Sequence, residues 1–271
     1  MYFQETDIEN SSMPEVIYKY RTWANKNHKK VITEKKIYFA SPLEMEEMHE
    51  LFFDVDFSRI EDKKLFYQYF YEKAPQRGYF THEERDRVAK YMVEHSPILN
   101  PENRNNHQEN LRNDLDKYTS VFCASEHKNN MNLWNQFGGN HKGFCIGLNL
   151  KEITKIPQIA SSIQKVQYSK EKPKVNVFTM NQFEFIEKFM VSLFSLHEMF
   201  SDEDELRLVK VFMKEKENKL TDNCFRELIL GANISDKDRG EILQIVDENF
   251  PNLPVEQAIE KEGKIDFEKI K

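Results

Sequence analysis

The chain has 271 residues, 39% hydrophobic and 31% charged, with 8 glycines and 9 prolines. That is enough for one large domain or two small ones, each with its own core, and it excludes a disordered tail or a stapled mini-protein. A net charge of -7 argues against non-specific wrapping of nucleic acid, because that affinity comes from Lys and Arg displacing counterions along the phosphates.

No apolar run approaches the roughly 18 residues that a membrane span needs. Met1 to Ser12 is polar and acidic, without the basic start and apolar middle of an export signal, so a cytoplasmic protein with no membrane association is expected. Cys123, Cys145 and Cys224 are too few and too dispersed for a disulfide framework or a CxxC metal site. They sit among apolar neighbours and read as inert buried thiols.

In chain order, Val16 to Tyr20 reads as a strand, Ala24 to Glu34 as a helix and Ile37 to Ala40 as a second strand ended by Ser41-Pro42. A mostly helical segment follows over roughly 43–117. Asp62 to Lys73 is one helix, its aromatic run Phe66-Tyr67-Gln68-Tyr69-Phe70-Tyr71 suiting a core more than a stacking platform. Thr81 to Glu94 is another, with Thr81 and Glu84 as a capping box. Ser96 to Asn113, rich in Pro, Asn and Glu, is expected to be loop or weak helix and a mobile segment.

Tyr118 to Ala124 is expected to be a strand, Ser125 the cap of a helix through Gln136, and Gly143 to Leu148 another strand beyond Gly138-Gly139. Gln164 to Tyr168 reads as a strand. Met180 to Phe200 carries apolar residues at steps of three and four, which predicts a long helix with one buried face. Glu205 to Met213 and Cys224 to Leu230 read as strands, Ser235 to Glu248 as a helix and Leu253 to Ala258 as a late strand. No internal repeat is visible. Strands scattered irregularly among helices predict an α+β class: one domain with a mixed or antiparallel β core, flanking helices and a helical insertion.

Phosphate loops are missing: there is no GxGxxG, and Gly138 to Gly143 has Walker spacing but Phe144 where the lysine belongs. HExxH is absent, the eight histidines do not pair at metal-ligand spacing, and no metal is expected. Three clusters remain. Tyr20 and Arg21 end the first strand with an aromatic that can stack on a ring, as Tyr38 also can, and a guanidinium that can fork onto a phosphate or pair with a nearby carboxylate. Trp134 and His141 suit either a ligand-binding corner or a buried tryptophan beneath a tight turn. Asp202-Glu203-Asp204-Glu205 opens a strand, so Glu203 and Glu205 are expected on one side of it, either as an exposed acidic turn or as carboxylates that orient a sugar hydroxyl and stabilise an oxocarbenium cation. A nuclease needs a lysine after such a cluster, and Lys210 is unconvincingly spaced.

Together, Tyr18-Lys19-Tyr20-Arg21, Ile37 to Pro42, Val121 to Glu126, Leu133-Trp134 with His141 to Gly147, and Glu203 to Val209 resemble the bacterial domain-of-unknown-function 2971 family, in order, from about Tyr18 to Ala258. One departure is Met45-Glu46-Glu47-Met48, where the family has an Asn-Asp-Pro-like segment. That motif order is in turn similar to the ADP-ribosyltransferase superfamily, which implies roles for Arg21, for Ser41 or Tyr38, and for Glu205, with Glu203 completing a Glu-x-Glu.

The resemblance implies an enzyme that takes NAD as substrate. Arg21 anchors its pyrophosphate or ribose, Tyr38 stacks on the nicotinamide, and Glu205 bonds the ribose as nicotinamide leaves. Ser41, Tyr20, Trp134 and His141 complete the NAD-binding set, and a protein or nucleic-acid acceptor, or water, receives ADP-ribose. The competing expectation is a non-catalytic binding or sensing module of a bacterial phage-defence system. Catalysis requires Arg21, Ser41 or Tyr38, and Glu205 to line one cleft.

Overall fold

The computed structural model describes residues 13–45, 53–178, 182–213 and 215–271. In chain order these form β1 (Val16–Arg21), α1 (Lys26–Thr33), β2 (Lys36–Tyr38), β3 (Asp54–Val55), α2 (Ser58–Glu61), α3 (Lys63–Lys73), α4 (His82–His95) and α5 (Pro101–Tyr118). There follow β4 (Thr119–Ser125), α6 (Met131–Gln136), β5 (Phe144–Asn149), α7 (Leu150–Thr154), β6 (Ser162–Lys165), β7 (Gln167–Ser169), β8 (Lys174–Val175) and α8 (Gln182–Leu193). The chain ends with β9 (Ser195–His197), β10 (Glu205–Val211), β11 (Glu217–Lys219), β12 (Phe225–Leu230), α9 (Asp236–Asn249), β13 (Val255–Lys261) and β14 (Lys264–Lys269). The class is α+β, built on a large mixed sheet with flanking helices. Among the described residues no helix is long and apolar enough to cross a membrane.

The chain divides into two compact units. The first comprises Met1–Glu44, Tyr118–Val166 and Met199–Lys271; the second comprises Met45–Lys117 and Gln167–Glu198.

The first unit holds an eight-stranded sheet in the order β14-β13-β12-β5-β1-β4-β10-β6. Every pairing is antiparallel except β12 with β13, which α9 connects as a crossover. Alternation along the strands separates two faces. One face presents Ile17, Phe122, Phe144, Ile146, Leu206, Leu208 and Leu228 to Val31 and Ile32 of α1, Ile153 of α7, and Ile242 and Val246 of α9. Each such side chain contributes about 1.5–3 kcal/mol by leaving water. The opposite face presents Tyr20, Cys145, Ile229, Ala258 and Ile265 to Leu133 and Trp134 of α6. A two-stranded ribbon pairs β2 with β11.

In the second unit Asp62 caps α3 by accepting from the amides of Lys64 and Leu65, and Thr81 and Glu84 form the expected capping box of α4. Phe66 and Phe70 enter a core with Ala89, Ile98 and Phe178, so the aromatic run is chiefly packing.

Of the two readings of residues 96–113, loop or weak helix, the structure takes the helix: after a turn of 3-10 helix the 18-residue helix α5 begins, with Asn100 accepting from the amide of Glu102 and Pro101 in the first helical position. Several expectations are corrected. Ser125 ends β4 instead of capping a helix; Asn130 caps the short α6 by accepting from the amide of Leu133. The expected long helix stops at Leu193, where Ser192 and Ser195 hydroxyls turn back onto the carbonyls of Phe189 and Val191, and β9 then pairs in parallel with β7. Its expected start at Met180 lies outside the described residues, as do Met1 to Ser12 and Glu46 to Met48. The expected 164–168 strand is two strands broken at Val166, and the last strand is one arm of a hairpin turned at Glu262-Gly263, both with positive φ.

Candidate functional site

The sheet of the first unit opens beside β1. This strand pairs with β5 at six consecutive positions from Val16 to Arg21, but with β4 only at Tyr18, opposite Ser125. Beyond that point β4 finds other partners. The ammonium of Lys19 donates to the Cys123 carbonyl, and Val121 exchanges backbone bonds of 2.7 and 3.0 Å with Ala40, just past β2. On its other side the end of β1 is held by the 138–143 turn: a Cβ on Gly143 would stand 2.1 Å from the Arg21 carbonyl oxygen, so only glycine allows the approach.

Three nitrogen-bearing side chains gather at this opening. Lys19 and Arg21 are register partners of Ile146 and Phe144 and leave β1 on the Ile17 face. His28, on the first turn of α1, feels both charges. Burial lowers Lys19 to about 8 and Arg21 to about 10, because each gives up hydration without full compensation. The Lys19 ammonium is opposed by Arg21 and countered by Glu205 and Glu203. Arg21 makes no ion pair or side-chain hydrogen bond among the described residues. Burial, with Arg21 and Lys19, lowers His28 to about 4, so its imidazole is neutral near physiological pH. It bonds the Thr22 backbone, and its Nδ1 is buried without a partner.

The acidic residues stand differently from the expectation. Glu205 is the first residue of β10, whereas Glu203 ends a 3-10 turn over Glu198–Glu203, so strand alternation does not place them together. Asp204 between them has φ 41°. Ser125 Oγ donates to the Glu203 carbonyl at 2.7 Å. Glu205 pairs in register with Ser125 and Arg207 with Cys123, so both project from the Tyr20 face, opposite the face from which Arg21 leaves β1. Glu205 is 7% exposed and Arg207 is fully buried. Arg207 Nε and a terminal nitrogen each donate to one Glu205 oxygen at 3.0 Å. The neighbouring Cys123 thiol is pushed up by burial and by Glu205.

Tyr20, Trp134 and His141 form one packed corner. Tyr20 meets Trp134 edge-on with centroids 5.1 Å apart, and His141 stacks on Trp134 at 5.7 Å. The Tyr20 hydroxyl donates to the His127 carbonyl and Trp134 Nε1 to the Lys128 carbonyl. Trp134 is wholly buried beneath the turn, and His141, itself 1% exposed, has both ring nitrogens buried without a partner and a pKa lowered by that burial. Tyr38 is 42% exposed, with its hydroxyl on Glu44 and its ring beneath Lys216. Ser41 is buried, its amide donating to Glu44. Lys210 bonds the Glu215 carbonyl and Asn218, and its register position is on the face opposite Glu205.

The structure therefore brings Arg21 together with Lys19 and His28, which composition and spacing did not single out. It keeps Glu205 with Arg207 and Tyr38 with Glu44. A Glu-x-Arg spacing on a strand was the available signal for the second pairing, since residues two apart share a face.

No curated protein and no solved structure matches the chain. Residues 133–208, which include Trp134, His141, Glu203 and Glu205 but none of Tyr20, Arg21, Tyr38 or Ser41, are similar to a protein family of unknown function, DUF2971, whose model matches that stretch.

Proposed function

We propose that the chain is a non-catalytic binding or sensing module for a phosphate-bearing ligand, with NAD or its ADP-ribose portion as candidate and phage defence as setting. The observation that carries this reading is Arg21: a half-buried guanidinium without an ion pair among the described residues, beside Lys19 and His28 where β1 parts from β4. A half-buried cation lacking a carboxylate keeps only part of its hydration, and a phosphate supplies the bidentate acceptor that guanidinium geometry suits. Calorimetric titration with ADP-ribose, wild type beside Arg21→Gln, tests it. Binding that weakens at least about tenfold in the variant, roughly 1.4 kcal/mol, is expected; a folded wild type that binds no ADP-ribose rejects the ligand.

A second reading, ADP-ribosyl transfer, rests on Lys19, whose ammonium feels Glu205 and Glu203 as well as Arg21. In that chemistry the nicotinamide–ribose bond breaks, nicotinamide leaves with the electron pair, and a carboxylate stabilises the oxocarbenium centre until a nucleophile of a protein or nucleic-acid acceptor bonds the anomeric carbon and gives up its proton to solvent. Arg207 weighs against it, because it already neutralises Glu205. Nicotinamide release from NAD, measured with lysate as acceptor source for wild type, Glu205→Gln and Glu203→Gln, separates the readings: release lost in a folded Glu205→Gln variant favours transfer, and no release from wild type favours binding alone.

A further inference from the structure

The anion-site reading leaves one atom unexplained, Nδ1 of His28. The His28 ring donates to the Thr22 backbone, while Nδ1 is buried without a partner. A buried ring nitrogen left unbonded forfeits the hydrogen bond it had in water. The charged groups around it are Arg21 and Lys19 of β1. The carboxylates on neighbouring elements are engaged elsewhere: Glu241 of α9 holds Lys29 and the Trp23 indole, and Glu217 of β11 holds Lys30 and Lys36. His28 thus faces two cations and one unfilled hydrogen-bonding direction.

We propose that His28 is the third ligand-binding group of this site: as an anion seats against Arg21 and Lys19, Nδ1 takes up one proton from solvent and the imidazolium donates to the anion. Before binding, Arg21 and Lys19 repel a charge on the ring; a dianion between them reverses the sign of that field. The ligand class is a diphosphate diester, which carries one charge on each phosphate, or a tetrahedral dianion such as sulfate, and recognition is coupled to proton uptake. The inference rests on the anion-site reading and goes beyond it by assigning His28 a contact and a protonation change.

The test is calorimetry on the full chain near neutral pH in two buffers of different ionisation enthalpy, with sulfate and ADP-ribose as probes, neither of which titrates near neutrality. Wild type is expected to take up a fraction of a proton approaching one per anion bound. His28→Gln, whose amide can still reach the Thr22 backbone, is expected to bind about tenfold more weakly and without proton uptake. Buffer-independent heats in wild type, or uptake that persists in His28→Gln, overturn the proposal. Sulfate binding with proton uptake but no ADP-ribose binding keeps the His28 assignment and rejects the dinucleotide ligand. No binding of either probe to a chain shown folded by circular dichroism overturns the anion site and this inference with it.

Discussion

Arg207 holds both carboxylate oxygens of Glu205 from two positions along the same strand, each at 3.0 Å, with the guanidinium wholly buried. The two opposite charges offset each other in the interior. Removing one partner from such a pair costs about 3–5 kcal/mol, whereas replacing both by apolar groups is often close to neutral. Arg207→Met is therefore expected to lower the urea midpoint strongly, and Glu205→Met/Arg207→Met to recover much of the loss. Additive losses in the double mutant would show that the two side chains do not act as a unit.

Gly143 lies against the backbone of Arg21 and Thr22, where an added Cβ would meet main-chain atoms at 2.1 to 3.0 Å. Backbone cannot rotate away as a side chain can, so Gly143→Ala is expected to destabilise by about 1–3 kcal/mol or more and to weaken anion binding by displacing Arg21. Thermal unfolding beside the calorimetric titration checks both; an unchanged Tm would show that the turn gives way freely.

His28 is expected to make stability fall in mild acid. Its folded value is about 4 against 6.5 for the free group, so between these values the unfolded chain binds the extra proton. The contribution is complete above about 6.5 and is lost as pH falls towards about 4. His141, lowered by burial, acts in the same direction. Urea midpoints across this range, wild type beside His28→Gln, should show a shallower slope in the variant; equal slopes would assign the acid sensitivity elsewhere.

Lys19 acts at the other end of the scale. Its folded value is about 8 against 10.5 when free, so between these the unfolded chain again binds more protons, and stability should rise as pH increases through that window. Lys19→Met should flatten the rise. A slope identical to wild type would show that the ammonium is well hydrated.

Asn100 begins the helix that the sequence leaves as loop or weak helix, accepting from the Glu102 amide. Asn100→Ala is expected to cost about 1 kcal/mol, the usual loss for a helix cap, read as a lowered midpoint of unfolding. No change would mean that water replaces the cap.

The same segment shows why pattern reading leaves two alternatives open. Residues 101–118 bury no side chain fully, so no apolar period announces a helix, and Asn100-Pro101 with Glu102 was the only local signal. The capping box at Thr81, the Asp62 and Ser235 starts, and the edges of β1, β10 and β12 were legible because they depend on residues a few positions apart. So was the α+β class, which follows from irregular alternation of strand and helix signals. The tight glycine turn above a buried Trp134 was one of the two readings open for that corner.

The local elements and the residue types available for chemistry follow from short-range pattern: Tyr20-Arg21 closing a strand, an acidic turn opening another, Trp134 near a glycine-rich turn. Which of these meet depends on long-range packing. β1 leaves β4 after a single register pair, and that departure places Lys19, Arg21 and His28 around one opening while strand alternation carries Glu205 to the other face. Register and splay are set by long-range packing of β5, α1 and the 138–143 turn, and a one-residue shift in strand pairing would reverse every face, so residue spacing alone holds no record of them.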